Sequence, residues 1–158
     1  MFLKFPPTII FFFLISAWHC QSIDNQRSLK EENAKQKGYF SFITIQLKQE
    51  IPSKQITLQL TLKNISELEE IKNVKILIFP YDKNGMILVP ETKKTPELIC
   101  EWKKNIQPNQ IQSCEIPGAN YNTEVERVKV HSLSLRLADG TSHLVNAEEL
   151  GELIEWKW

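Results

Sequence analysis

The sequence predicts an all-β fold, an antiparallel β-sandwich of seven or eight strands with a short C-terminal helix. Three observations carry that expectation. Residues 56–62 (ITLQLTL) alternate apolar and polar side chains, the two-residue period of a half-buried strand with Ile56, Leu58, Leu60 and Leu62 facing inward. Segments rich in β-branched and aromatic residues recur at short intervals between residues 39 and 145, a spacing typical of sandwiches and barrels. Asn84-Gly85 and Asp139-Gly140 supply residues that tolerate positive φ, as tight turns require.

In chain order, the first strand runs from Tyr39 to Leu47 (YFSFITIQL). Its apolar phase changes between Phe42 and Ile43, which predicts a bulge or an edge kink. Ile56 to Leu62 is the second strand and Val74 to Tyr81 the third. Pro80 has no amide to donate, so that end should be unpaired or at an edge. After a turn at Asp82–Gly85, Met86 to Val89 reads as a short return strand. Leu98 to Trp102 and Ile111 to Ile116 flank a loop at 105–110. Val125 to Leu137 and Ser142 to Val145 flank Asp139-Gly140. A two-residue turn there would set Arg136 opposite His143 and Leu135 opposite Leu144. The apolar set moves from Val128 and Val130 to Leu133, Leu135 and Leu137, which predicts a bulge near His131-Ser132. Asn146 can cap a short helix, with Glu149 at capping-box spacing, and Leu150, Leu153 and Ile154 share a face.

Residues 1–20 read as an export signal. Lys4 is the basic start, Thr8 to Ile15 the apolar run, and Ser16-Ala17 the small residues after it. The uncharged stretch Phe5–Trp18 is 14 residues long, short of the roughly 17–25 that a spanning helix needs. Cleavage after Ala17 and cleavage before Cys20, which would then carry lipid, both fit. The polar segment 21–38 reads as a disordered tether, and 39–158 as one domain. Three cysteines are present; if Cys20 is acylated, Cys100 and Cys114 are left to pair. A hairpin centred on Gln107 would set them directly opposite and make a disulfide possible, with buried free thiols as the alternative.

Removing the leader takes away Lys4 and leaves eighteen basic against nineteen acidic residues. That balance gives no overall basic field for nucleic acid and no polybasic membrane patch. The sequence has no G-x-S-x-G, no H-E-x-x-H and no glycine-rich phosphate loop, so no catalytic residue, cofactor or metal is expected and the chain reads as non-enzymatic. Glu67, Glu69 and Glu70 read as a solvated loop, with cation binding as the sharper alternative. His131 and His143 should point to opposite faces and form no joint site. Trp102, Trp156 and Trp158 are the candidates for a partner-binding surface, since tryptophan is enriched at binding hot spots. The plainer alternative is that the C-terminal turn folds back to close one end of the sandwich.

From about Ile56 to Val145, a strand running into Asn64-Ile-Ser66 is followed by ILIFPYDKNG, IQPNQIQSCEI and VERVKVHSLSLRLADGT. This order resembles the immunoglobulin-like modules of exported bacterial lipoproteins of the FxLYD type. Tyr81 and Asp82 match the end of that pattern, while Ile78 and Pro80 stand where its Phe and Leu would be. The segment before Cys20 resembles a lipoprotein signal, with Ala17 and His19 where a conventional one has Leu and a small residue. The resemblance implies an Ig-like sandwich in an exported envelope protein, held at the membrane through lipid on Cys20. It also implies a non-catalytic module that binds or scaffolds an envelope protein or ligand, and it brings no active-site residues. In a bacterial setting the sequon Asn64-Ile-Ser66 reads as chance. Two other expectations stand beside this one: an assembly factor docking through the C-terminal Trp motif, and a hydrolase with an unrecognised site.

Overall fold

A computed structural model describes residues 27–48 and 50–157. The export segment, Cys20 and Trp158 lie outside the described residues. Two four-stranded sheets pack face to face as an Ig-like sandwich. The first has the order β5 (Ile111–Val125), β2 (Ser53–Asn64), β1 (Ser41–Leu47), β8 (Ile154–Lys157). The second has the order β4 (Leu98–Trp102), β3 (Ile71–Tyr81), β6 (Arg127–Leu137), β7 (Ser142–Val145). Helix α2 (Ala147–Leu153) connects β7 to β8, and a helix over 27–36, α1, precedes β1. All strand pairs are antiparallel except β1–β8, which is parallel.

The core lies between the sheets. The alternation of 56–62 sets Ile56, Leu58, Leu60 and Leu62 inward, each at most 1 % exposed. Ile43 and Ile45 from β1, Val74, Ile76 and Ile78 from β3, and Leu133 and Leu135 from β6 meet them. Contiguous burial of this kind is the main driving force for closing two sheets on each other. Call the end where Asn64 hands over to Ile71 the lower end, and the end bearing Tyr81 and Arg127 the upper end.

Several expectations are met and several corrected. The capping box forms: Glu149 N donates to Asn146 Oδ1 and Asn146 N donates to the Glu149 carboxylate, both at 2.9 Å. The β3–β6 register slips between Leu77 and Ile78, skipping His131, so the bulge sits where the sequence predicted it. No bulge occurs in β1, whose pairing with β2 is regular. Its change of phase has another cause: Ser41 through Ile45 are all buried, because both faces of β1 are covered. The Asp82–Gly85 turn is present, with the Asp82 carboxylate accepting from Asn84 N and Met86 N. The return strand is reduced to one bridge, Tyr81 to Ile87. At Asp139-Gly140 the loop is one residue longer than two, since Leu137 N donates to Thr141 O and Gly140 has φ +92°. Glycine adopts that conformation without a Cβ clash. The extra residue moves His143 opposite Leu135 and Ser142 opposite Arg136.

The largest correction concerns residues 27–38 of the segment expected to be a disordered tether; residues 21–26 of it lie outside the described residues. Residues 27–36 form helix α1, and it lies across the outer face of the first sheet. Ala34 is 1 % exposed and belongs to the core. Lys63 of β2 pairs with Glu31. Arg27 Nε lies 3.7 Å from Glu155 of β8, and Lys35 and Lys37 pair with Glu67 and Glu152. The helix ends in a Schellman motif: Tyr39 N donates to Ala34 O, Gly38 N donates to Lys35 O, and Gly38 sits at φ +78°. A polar composition hid the helix because charge pairs and one small side chain hold it, with no broad apolar stripe. Lys35–Glu67 and Lys37–Glu152 are exposed and individually weak, so the docking rests on them together with the part-buried Lys63–Glu31 and Arg27–Glu155 pairs and the buried Ala34.

Candidate functional site

The Cys100–Cys114 disulfide is present, but not as a hairpin rung. β4 pairs with β3 and β5 pairs with β2, so the two cysteines belong to different sheets. Loop 105–110 crosses from one layer to the other, and the bond joins the two edge strands on the same side of the sandwich, with Cα atoms 6.2 Å apart. Cys100 is buried between Leu98 and Trp102 along β4. Those three residues are spaced two apart and share the inward face.

That spacing also decides the tryptophans. Trp102 is 3 % exposed and packs in the core, so it offers no binding surface, and its place among the partner-binding candidates is withdrawn. Trp156 belongs to β8, opposite Ile45 of β1, and is half-buried against the core. The segment expected to continue a helical turn is therefore an edge strand. Trp158 lies outside the described residues. The two histidines do point to different faces. His131 is exposed on the outer face of the second sheet against Phe79, with ring centroids 5.2 Å apart. His143 lies half-buried beside Phe40, at 5.1 Å.

β7 covers β6 only from Leu133 to Arg136. Toward the upper end, between β6, α2 and β8, lies a cleft of about 870 Å³. Its walls include Val128, Val130, Leu150, Ile154 and Trp156, with Lys30 of α1 at its mouth. Tyr81 stands at its rim with the Arg127 guanidinium 5.5 Å and the Lys129 ammonium 5.7 Å from its ring centre. A cation over an aromatic face is a weak but specific attraction that holds both groups in place. The cleft thus combines an apolar floor with a fixed aromatic–cationic rim, the composition of a recognition surface.

At the lower end a second cleft of about 580 Å³ runs between the C-terminal turn of α1, Tyr39, Phe40 and loop 65–69. Glu67 there is held below the usual carboxylate range, first by its hydrogen bond from Lys35 and then by that residue's charge. Among the described residues no group of three metal-ligating side chains comes together. Tyr121 of β5 is buried, and burial pushes its phenol up to about 12.

No protein-family model matches the sequence, and no curated protein matches it. Similarity to solved structures is confined to backbone shape. IrmA from Escherichia coli aligns at 13 % identity and TM-score 0.46, over 74 % of this chain and 92 % of that one. A GH20 exo-β-N-acetylglucosaminidase from Vibrio harveyi aligns at 13 % identity and TM-score 0.41, over 75 % of this chain but 18 % of its own length. At these identities and scores the likenesses assign no activity.

Proposed function

We propose that the chain is an exported, lipid-anchored protein of the bacterial cell envelope whose Ig-like sandwich is a non-catalytic binding or scaffolding module. The observation that carries this reading is the disulfide joining the two layers. Such a bond persists in an oxidising compartment and is rare in the cytosol. It agrees with the leader at residues 1–20 and uses the two cysteines that acylation of Cys20 would leave. The sandwich interior is filled by apolar side chains, which supports a surface function over a buried reaction centre. The half-buried Trp156, the Tyr81 rim and the adjoining cleft are the surface through which a partner is engaged.

Mass spectrometry of the mature N-terminus from the native host tests the anchor. A diacyl or triacyl Cys20 is the expected result. A free amino terminus at Trp18 refutes it. Substituting Trp156→Ala and Tyr81→Ala, with folding verified by circular dichroism, should weaken capture of envelope proteins on beads carrying the chain. Unchanged capture removes the cleft from the binding surface.

A further inference from the structure

The upper end of the sandwich carries a cluster of exposed apolar side chains. Met86, Ile87 and Val89 are 66 %, 47 % and 45 % exposed and follow one another in the loop after β3. Leu68, Ile111 and Leu144 are also exposed, but each stands on a different element. Single exposed hydrophobics are ordinary, whereas adjacent ones on a fixed loop mark a contact. This loop is fixed: Leu88 packs on the core, Leu88 N donates to Pro80 O, and Asp82 N donates to Met86 O. Around it stand Lys83, Arg127 and Lys129, all exposed, with Tyr81 between the last two. Acids at this end include Asp82, which is engaged with the turn amides, and the exposed Glu91, Glu124 and Glu126.

Helix α1 fixes where the leader joins this body. Its C-terminal Gly38 is at the lower end, before Ser41, and the helix runs upward past Glu31–Lys63 to Arg27–Glu155. Lys30 already borders the same cleft as Tyr81 and Lys129. The first described residue of α1, Arg27, therefore lies nearer the upper end than Gly38 does. Seven residue steps separate Cys20 from Arg27, and they span at most about 25 Å when fully extended. A free tether up to Tyr39 would have spanned about 65 Å by the same rule.

We infer that the upper end, with Met86, Ile87 and Val89 as the inserting residues and Lys83, Arg127 and Lys129 as the headgroup contacts, lies on an anionic lipid bilayer. The inference rests on the lipid-anchor reading for its geometry. Apolar tips enter the interface while a cationic collar meets phosphates, and tyrosine favours the same depth. The short reach from Cys20 holds the domain at the surface, so even weak contacts of this kind are engaged at high effective concentration.

The test uses the full chain in two forms. The Cys20→Ser protein is mixed with vesicles of phosphatidylethanolamine and phosphatidylglycerol, and separately with phosphatidylcholine, and sedimented. Binding to the anionic vesicles only, lost in high salt and reduced about tenfold by Met86→Asp/Ile87→Asp, is expected. Both substituted residues are exposed, so the variant should keep the wild-type melting temperature. The lipidated protein in the same vesicles should show slowed amide exchange at 83–89 compared with Cys20→Ser in solution. No vesicle binding by Cys20→Ser, or binding unchanged by the double substitution, overturns the surface assignment whether or not Cys20 carries lipid. Equal exchange at 83–89 in anchored and free protein overturns it too. Absence of lipid from Cys20 is read separately by mass, and refutes only the anchor.

Discussion

Asn64 is one of three buried polar residues among the described residues, 0 % exposed at the end of β2, and its side chain makes three hydrogen bonds. Nδ2 donates to Glu69 O at 2.8 Å and to Ile106 O at 2.9 Å, and Oδ1 accepts from Ser66 N at 3.0 Å. Its backbone is tied as well, to Gln110 O and Asn109 N. One side chain thus holds the β2–β3 connection against loop 105–110, which carries the chain between layers. Asn64→Ala removes three hydrogen bonds at about 1 kcal/mol each, while the Ile106 carbonyl keeps its bond from Ile71 N, so the expected loss is about 3 kcal/mol. For a domain of this size that corresponds to a fall in Tm of roughly 10 °C. Asn64→Asp replaces the donor with a carboxylate facing two carbonyls. Burial there raises its folded pKa, so its penalty should be larger at pH 7 than at pH 4. Urea unfolding at both pH values, followed by tryptophan fluorescence, measures each effect. A loss below about 1 kcal/mol for Asn64→Ala, with unchanged m, would refute the argument that this side chain carries the crossover. The same burial keeps the sequon Asn64-Ile-Ser66 from accepting a glycan once the chain has folded.

Replacing both Cys100 and Cys114 by Ala should cost about 3 kcal/mol in urea unfolding, because the bond closes a 14-residue separation in the unfolded chain; a non-reduced peptide map that finds both thiols free would contradict the bond itself. Gly38→Ala should cost about 1 kcal/mol and speed proteolysis within 27–38, since no neighbour lies within 4 Å of the added Cβ and only the φ of +78° opposes it; unchanged cleavage would show that the cap does not hold α1. Tyr121 stays protonated to about 12 when folded while the unfolded phenol ionises near the ordinary tyrosine value of 10.0. Its contribution is therefore present below pH 10 and falls away between 10 and 12 as the unfolded state sheds its proton. Tyr121→Phe should remove that part of the alkaline loss and leave neutral stability within about 1 kcal/mol, as the hydroxyl has no partner among the described residues. An alkaline unfolding curve identical to wild type would count against it.

Local patterns were legible wherever one short segment determined its own structure. The alternation of 56–62, the phase slip at His131 and the Asn146–Glu149 box each name their own geometry. What escaped depended on distant partners. The Cys100–Cys114 pairing could be read from the cysteine count, yet adjacency along the chain suggested a hairpin, and only the sheet order puts the two in separate layers. The spacing of Leu98, Cys100 and Trp102 did contain the signal that Trp102 belongs to the core. β8 is a strand because β1 presents it an edge, a fact held more than a hundred residues away. Helix α1 had one local signal, Gly38 following a run of helix-forming residues, but its docking charges are scattered over Lys63, Glu67, Glu152 and Glu155.

The parallel pairing of β1 with β8 also sets an order in time. Thr44 and Glu155 lie 111 positions apart, so a chain delivered from its N-terminus makes β1 early and its last neighbour late. Through that interval β2 can satisfy one edge of β1, while the other is an open template for any passing strand. The outer face need not wait, because α1 precedes β1 directly and can settle on Phe42 and Thr44 as soon as β2 is in place. Completion falls to the segment from Asn146 to Lys157, which must cap α2, cross between layers and slide in beside β1. Non-local closure of this kind is slow. A chain interrupted before Ile154 would leave β1 open for as long as it survived.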